Sequence, residues 1–360
     1  MLTNVELETF SINGVVLQKP IIIAGPCSAE TEEQVMETAR PLADMGIKVF
    51  RAGIWKPRTR PSAFEGVGSR GLKWLQRVKR ETGMLVATEV ANVKHVYEVL
   101  KYGIDIIWIG ARTTANPFAV QDIADSLKGV NVPVMVKNPI NPDVNLWIGA
   151  IERINNAGIR QIAAIHRGFS SYDKTLFRNV PQWQVPIELR RLIPEIPIIT
   201  DPSHICGNRE LLFEISQKAM DLNFDGLMIE THYNPEKALS DANQQVTPDG
   251  LKQMINRLIF RKPDVNQELM LTLAELRDQI DKIDDHLINL LEERMVVSER
   301  IGEHKKKNNI TILQTKRWDD MLRNRLRFGT SKGLSEEFII KLFRAIHQES
   351  INHQTKVMNE

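Results

Sequence analysis

Residues 50–59 read Phe-Arg-Ala-Gly-Ile-Trp-Lys-Pro-Arg-Thr, which sets Arg51, Lys56 and Arg58 within eight positions, beside the Thr59 hydroxyl. Such a cluster suits anions. A planar guanidinium fits phosphate oxygens as a fork, and Lys adds a point charge and a transferable proton. Pro57 fixes one backbone dihedral and so restrains the cations beside it. Further cations follow at Arg112, Lys137 and Arg167, with Glu89 between the groups. So many cations at one place need counter-anions, and two phosphates with a carboxylate would balance them. A second set, Cys27, His204, Glu230 and Asp241, offers one sulfur, one nitrogen and two oxygen donors, a mixture suited to a divalent transition metal. No CxxC or HxxxH spacing occurs, so a structural zinc site is not expected.

These residues are far apart in sequence and need a scaffold that gathers them. Eight short apolar runs occur, at residues 21–24, 47–50, 84–87, 104–109, 132–136, 161–165, 197–199 and 226–229, each followed by room for a helix. They are apolar almost throughout, as strands covered on both faces must be. Eight βα units predict an α/β fold, a (β/α)8 TIM barrel. A doubly wound open sheet is the alternative, but no glycine-rich dinucleotide loop follows the first run. In chain order the runs deliver Cys27; Arg51 with Lys56 and Arg58; Glu89; Arg112; Lys137; Arg167; His204; and Glu230 with Asp241. A parallel barrel brings strand ends together at one mouth, so these residues are expected to meet there.

Bulk properties narrow the class. With 42% hydrophobic and 26% charged residues the chain reads as globular rather than disordered. A net charge of +2 argues against nucleic acid as a partner. No apolar run approaches the roughly 18 residues that cross a bilayer, and Glu6 and Glu8 stand where a signal peptide would be apolar, so no membrane partner is expected. Two cysteines, Cys27 and Cys206, give no disulfide framework; the chain reads as cytoplasmic, with packing the expected role of Cys206.

Gly-Pro-Cys-Ser at 25–28, Phe-Arg-Ala-Gly-x-x-Lys-Pro-Arg-Thr at 50–59, Ile-Gly-Ala-Arg at 109–112, Asp-Pro-Ser-His at 201–204 and Ser-Asp at 240–241 carry a resemblance. Over about residues 20–260 the chain resembles the 3-deoxy-D-arabino-heptulosonate 7-phosphate (DAHP) synthase family, in its type I, short-barrel form. The resemblance implies condensation of phosphoenolpyruvate with erythrose 4-phosphate at a divalent metal held by Cys27, His204, Glu230 and Asp241. Manganese is the first expectation, and iron, cobalt or zinc also suit these ligands. It further implies that Arg51, Lys56, Glu89, Arg112, Lys137 and Arg167 surround phosphoenolpyruvate, with Lys56 catalytic, while Arg58 and Thr59 hold the phosphate of erythrose 4-phosphate. The competing reaction on the same barrel takes arabinose 5-phosphate to 3-deoxy-octulosonate 8-phosphate; Lys-Pro-Arg-Thr favours the four-carbon partner. Local departures are Arg60, the Asn138-Pro139 pair after Lys137, and His166 before Arg167.

The polar, Pro-containing stretch that opens at Arg261 reads as a linker, dividing a barrel at 1–260 from a helical domain at 269–360 across residues 261–268. Leu273, Leu276, Ile280, Ile283, Leu287, Leu290, Arg294, Val297 and Ile301 recur at intervals of three and four, the mark of one long helix. Arg294 is the polar member, expensive to bury without an anion. Lys305 returns to nearly the same face three turns later. Helices at about 316–328 and 335–356 follow, the last placing Ser350 and Gln354 one turn apart. A helix near forty residues cannot bury its whole stripe in so small a domain, so a homodimer or higher oligomer is expected. The spacings of Arg277, Arg294, Lys305, Arg317, Ser350 and Gln354 are similar to those of the all-helical chorismate mutase family over residues 270–356. That resemblance implies rearrangement of chorismate to prephenate without a cofactor, with Arg294, Lys305 and Gln354 catalytic and Arg277, Arg317 and Ser350 binding substrate. It places Arg277 on one chain and the rest on its partner. Gln314 and Trp318 stand where the family carries carboxylates, which keeps open a domain that mainly senses prephenate or chorismate and dimerises. Either way, feedback from the helical domain on the barrel is expected.

Overall fold

The computed structural model describes residues 5–12, 15–56, 64–172, 175–261 and 267–359. They form two compact units, Met1–Pro263 and Asp264–Glu360. In the first, a short hairpin of β1 (Ser11–Ile12) and β2 (Val15–Val16) precedes eight parallel strands. These are β3 (Ile21–Gly25), β4 (Val49–Arg51), β5 (Leu85–Val90), β6 (Ile106–Ile109), β7 (Val134–Lys137), β8 (Ile162–His166), β9 (Ile198–Thr200) and β10 (Gly226–Glu230). β10 pairs with β3 and closes the sheet into a barrel, so each expected run is a strand and the fold is the expected (β/α)8 form.

Alternation along each strand divides the apolar residues into two cores. Ile23, Val49, Ala87, Trp108, Met135, Ile165, Ile199 and Met228 point inward and fill the barrel, and Phe10 and Leu17 from the hairpin join them. The alternate residues, among them Phe50, Val86, Ile107, Val136 and Ile229, meet the surrounding helices. The helix Glu32–Asp44 shows how the outer layer is built: Thr31 accepts from Gln34 N at its start, and Val35, Met36, Ala39 and Leu42 form its buried face. Each large side chain so buried contributes about 1.5–3 kcal/mol.

The second unit holds three helices, Gln267–Lys307, Thr315–Ser331 and Glu336–Asn359. The first begins at Gln267, so it takes up Gln267 and Glu268, which the sequence placed in the linker. Both residues favour helix, and neither a Gly nor a Pro interrupts them. At 41 residues this helix is about 60 Å long. Met295, Ser298, Ile339, Ser350 and Gln354 are buried within the unit. Most of the expected stripe is not: Leu276, Ile280, Ile283, Leu287, Leu290, Val297 and Ile301 are exposed, Ile283 at 64%. Among the described residues no helix is long and apolar enough to cross a membrane.

Candidate active site

Two residues beyond the last inward apolar side chain of each barrel strand stand Gly25, Arg51, Glu89, Gly110, Lys137, Arg167, Asp201 and Glu230. The period of two therefore makes them the next inward positions, at the C-terminal mouth. Two glycines leave room there. A Cβ on Gly110 would lie 2.2 Å from Glu89 Oε1, and one on Gly53 would lie 2.8 Å from Lys56 Cε and 2.7 Å from the Cys27 carbonyl oxygen.

Cys27, Glu230 and Asp241 present donor atoms that all lie within 4.8 Å of one another. Cys27 Sγ is 3.1 Å from Asp241 Oδ2 and 3.0 Å from Lys56 Nζ. Arg51 donates to Glu230 Oε1 at 3.0 Å and to the Cys27 carbonyl at 3.1 Å, and Gln244 donates to the other Glu230 oxygen at 2.7 Å. His204 stands outside the set of three, with Nε2 3.8 Å from Glu230 Oε1. Its Nδ1 lies 2.8 Å from Asp201 Oδ2, which fixes the ring and leaves Nε2 facing the cluster. Asp201 also takes Lys137 Nζ at 2.8 Å, so one buried carboxylate ties the two groups of site residues together.

The floor beneath them is Trp108. Its indole N–H donates to Glu89 Oε2 at 2.9 Å, Arg51 lies 4.9 Å over the ring, and Lys137 Nζ lies 5.9 Å from it. Arg167 is held by Asn179 Oδ1 at 2.7 Å, and its backbone N–H by Asn138 Oδ1 at 2.7 Å. Asp241 sits at φ +49°, a conformation Asp tolerates better than most residues. Arg178 holds its carboxylate at 2.9 Å, and the Ser28–Ser240 hydroxyl pair at 2.7 Å pins its loop. Arg112 is exposed on the short helix Ala111–Thr114, and Arg58 and Thr59 lie outside the described residues.

The charges respond to one another. Burial, with Glu230, pushes the Cys27 thiol up to about 12. Burial works against the Lys56 ammonium, but Cys27 and Glu230 outweigh it and hold the group protonated. Burial would raise Glu230 and Asp201; His204 with Arg51 keeps Glu230 below its usual range, and His204 with Lys137 keeps Asp201 well below it. Arg167 is brought down to about 10 by burial, against Asp201 and with help from Arg178 and Arg112. A thiol and two carboxylates around one point, with an oriented imidazole facing them, form a donor set that fits a divalent transition metal.

In the helical unit, Arg294 donates to Ser350 Oγ. Lys305 Nζ donates to Gln354 Oε1 at 3.0 Å and to the Ile312 carbonyl at 2.5 Å, and Gln354 Nε2 donates to Ser298 Oγ at 3.1 Å. Four of the expected residues thus share one seam between the first and third helices. Arg277 and Arg317 are exposed, and among the described residues no hydrogen bond joins either to that seam.

Asp201, Trp108, Arg178 and Asn179 were not among the expected site residues. Asp201 and Trp108 were within reach, since both continue the inward register of their strands. Arg178 and Asn179 come from a loop with no periodic signal. Cys206 is buried beside the core, its thiol pushed up to about 12 by burial, as its packing role requires.

Comparison with known proteins bears on both units. Residues 11–260 match the DAHP synthetase I family, and residues 276–355 match chorismate mutase type II. A phospho-2-dehydro-3-deoxyheptonate aldolase of Thermotoga maritima is 36% identical over 237 residues, 66% of this chain and 68% of that protein. A 2-dehydro-3-deoxyphosphooctonate aldolase of Legionella pneumophila is 28% identical over 263 residues, 67% of this chain and 92% of that protein. The crystal structure of the Thermotoga maritima DAHP synthase is similar with a TM-score of 0.63 at 33% identity, covering 70% of this chain and 72% of that one. The first family match spans well over half of the sequence and falls on the barrel: the chain belongs to the DAHP synthetase I family and carries a chorismate mutase type II domain behind it.

Proposed function

We propose that the barrel condenses phosphoenolpyruvate with erythrose 4-phosphate to DAHP and phosphate, and that the helical unit rearranges chorismate to prephenate, as two steps of the shikimate pathway. A linker within residues 261–268 joins the two activities. The setting is the cytoplasm, where both thiols stay reduced. One observation carries the first activity: Cys27, Glu230 and Asp241 converge with Lys56 and Arg51 at the barrel mouth. Cys27, His204, Glu230 and Asp241 would hold a divalent metal, manganese before iron, cobalt or zinc, whose chemistry is to polarise the aldehyde as a Lewis acid.

The chain's own residues do the rest. Arg51, Arg112, Lys137 and Arg167 bind the phosphate and carboxylate of phosphoenolpyruvate above Trp108, and Glu89, fixed by the same indole, borders that site. Arg58 and Thr59 take the phosphate of the aldose. With both substrates held, attack of the enol carbon on the aldehyde becomes effectively unimolecular. Lys56, protonated by virtue of its neighbours, gives a proton to the aldehyde oxygen as negative charge grows there. Water captures the resulting cationic carbon, and phosphate leaves with carbon–oxygen cleavage. The test follows the enol absorbance with both substrates, with and without a chelator. Turnover untouched by chelation would remove the metal from this reading, and preference for arabinose 5-phosphate would replace the reaction itself.

In the helical unit, Arg294, Arg317 and Ser350 bind the chorismate carboxylates, with Arg277 from the second chain of a homodimer. Lys305 and Gln354 meet the ether oxygen as its charge develops, with no cofactor. The exposed apolar stripe from Leu276 to Ile301 supports the dimer, since a second copy would cover it. Sedimentation as a monomer at micromolar concentration would overturn that. Prephenate or chorismate bound there slows the barrel; inhibition by prephenate that persists in Arg294→Ala would overturn the feedback. The replacement of carboxylates by Gln314 and Trp318 favours a second reading, a sensing and dimerising module. A wild-type protein that binds prephenate but does not turn over chorismate would select it.

A further inference from the structure

The helical unit contains a ring pair that the reading above leaves without a role. His347 lies on the helix Glu336–Asn359, three residues before Ser350 and seven before Gln354, so all three share one helix face. Trp318, on the helix Thr315–Ser331, stacks on the imidazole at 4.0 Å between ring centroids and 26° between planes. Burial, then Arg294, then Lys305 hold His347 below its ordinary pKa, which places both cations near the ring and keeps it neutral at pH 7. A neutral imidazole offers one donor and one acceptor. Among the described residues no hydrogen bond engages either ring nitrogen.

The rest of the seam has little acceptor capacity to spare. Ser350 Oγ already accepts from Arg294 and donates to the Ile346 carbonyl, and both ends of the Gln354 amide are taken by Lys305 and Ser298. Arg294 and Lys305 can only donate. They suit the carboxylates and ether oxygen of the mutase substrate, but its ring hydroxyl also needs an acceptor, since leaving such a group unpaired in a closed site is costly. The imidazole on this face offers an acceptor that no hydrogen bond among the described residues engages, and stacking on Trp318 restricts how it can turn.

We propose that His347 contacts the substrate of the helical unit, accepting a hydrogen bond from the ring hydroxyl of chorismate, with Trp318 as the positioning residue that holds the imidazole. The proposal rests on the mutase reading given above. The test uses the full chain and compares chorismate with an analogue lacking the ring hydroxyl. Wild type favours chorismate. His347→Ala should lower kcat/KM for chorismate about tenfold and collapse that preference, because the lost contact exists only with the hydroxylated substrate. His347→Gln, which keeps a donor and an acceptor, should restore part of the preference. Trp318→Ala should weaken it less than His347→Ala does. Equal losses on both substrates in His347→Ala would mean that the ring only packs, and would overturn the proposal with the mutase reading intact. A wild-type chain that turns over neither substrate would overturn both.

Discussion

At the barrel mouth Arg51 is 1% exposed and bonded to Glu230, whereas Arg277 of the helical unit is exposed and its side chain makes no hydrogen bond among the described residues. The barrel residues arrive from strands of one closed sheet, so a single chain assembles Cys27, Glu230, Asp241, Lys56 and Arg51. The helical residues lie along a seam whose neighbouring apolar stripe is open. Charges buried in advance need fixed partners, and the barrel supplies them in Asp201, Glu230 and Trp108. The helical unit leaves Arg277 and Arg317 exposed; under the proposed dimer, closure there would fall to a second copy. One chain therefore carries a buried cluster of charges in its barrel and an open seam in its helical unit.

The largest effect should come from breaking that cluster. Chelation, or Cys27→Ala, is expected to lower DAHP formation about 10³-fold while chorismate turnover continues, both followed by absorbance on the same sample. A parallel fall in both activities would show that the sites are not separate. Arg294→Ala should reverse the pattern, cutting chorismate turnover about 10²-fold with DAHP formation retained in the absence of prephenate. Asp201→Asn should weaken metal binding by about 10–100-fold, read by titration with cobalt, because His204 loses the partner that orients its ring. Dilution should sharpen the contrast by severalfold. Specific mutase activity falls as the chains separate, while synthase activity per chain stays level.

The smallest effect concerns stability rather than turnover. Burial brings His166 down to about 4, so the folded barrel keeps it neutral while the unfolded chain takes up a proton near 6.5. The folded state is therefore disfavoured as pH falls through that window. Denaturant melts should show a loss of about 2 kcal/mol from this group between pH 7 and 5. His166→Phe should flatten the slope; an unchanged slope would assign it elsewhere.

Much of the barrel was legible because its strands are covered on both faces and so stand out as short apolar runs. The site was legible for a related reason: the polar residue two beyond an inward side chain must reach the mouth. Boundaries were less so. The run at 104–109 includes Ile104 and Asp105, but the strand begins at Ile106, because Asp105 turns its carboxylate to the Val86 N–H. Glu89 beside Gly110 illustrates what alternation cannot give, since that fit depends on how closely two strands pass. The Arg178–Asp241 pair and the Trp318–His347 stack depend on loop paths and helix crossings, which leave no periodic trace. The long helix was legible in extent, and most of its apolar stripe is exposed within the single chain.

Phe10 and Leu17, set at the starts of the barrel strands, make the interior a blind alley. The residues around Trp108 are then reached from the C-terminal mouth. A ligand seated on Trp108 would then have to enter before anything lying above it.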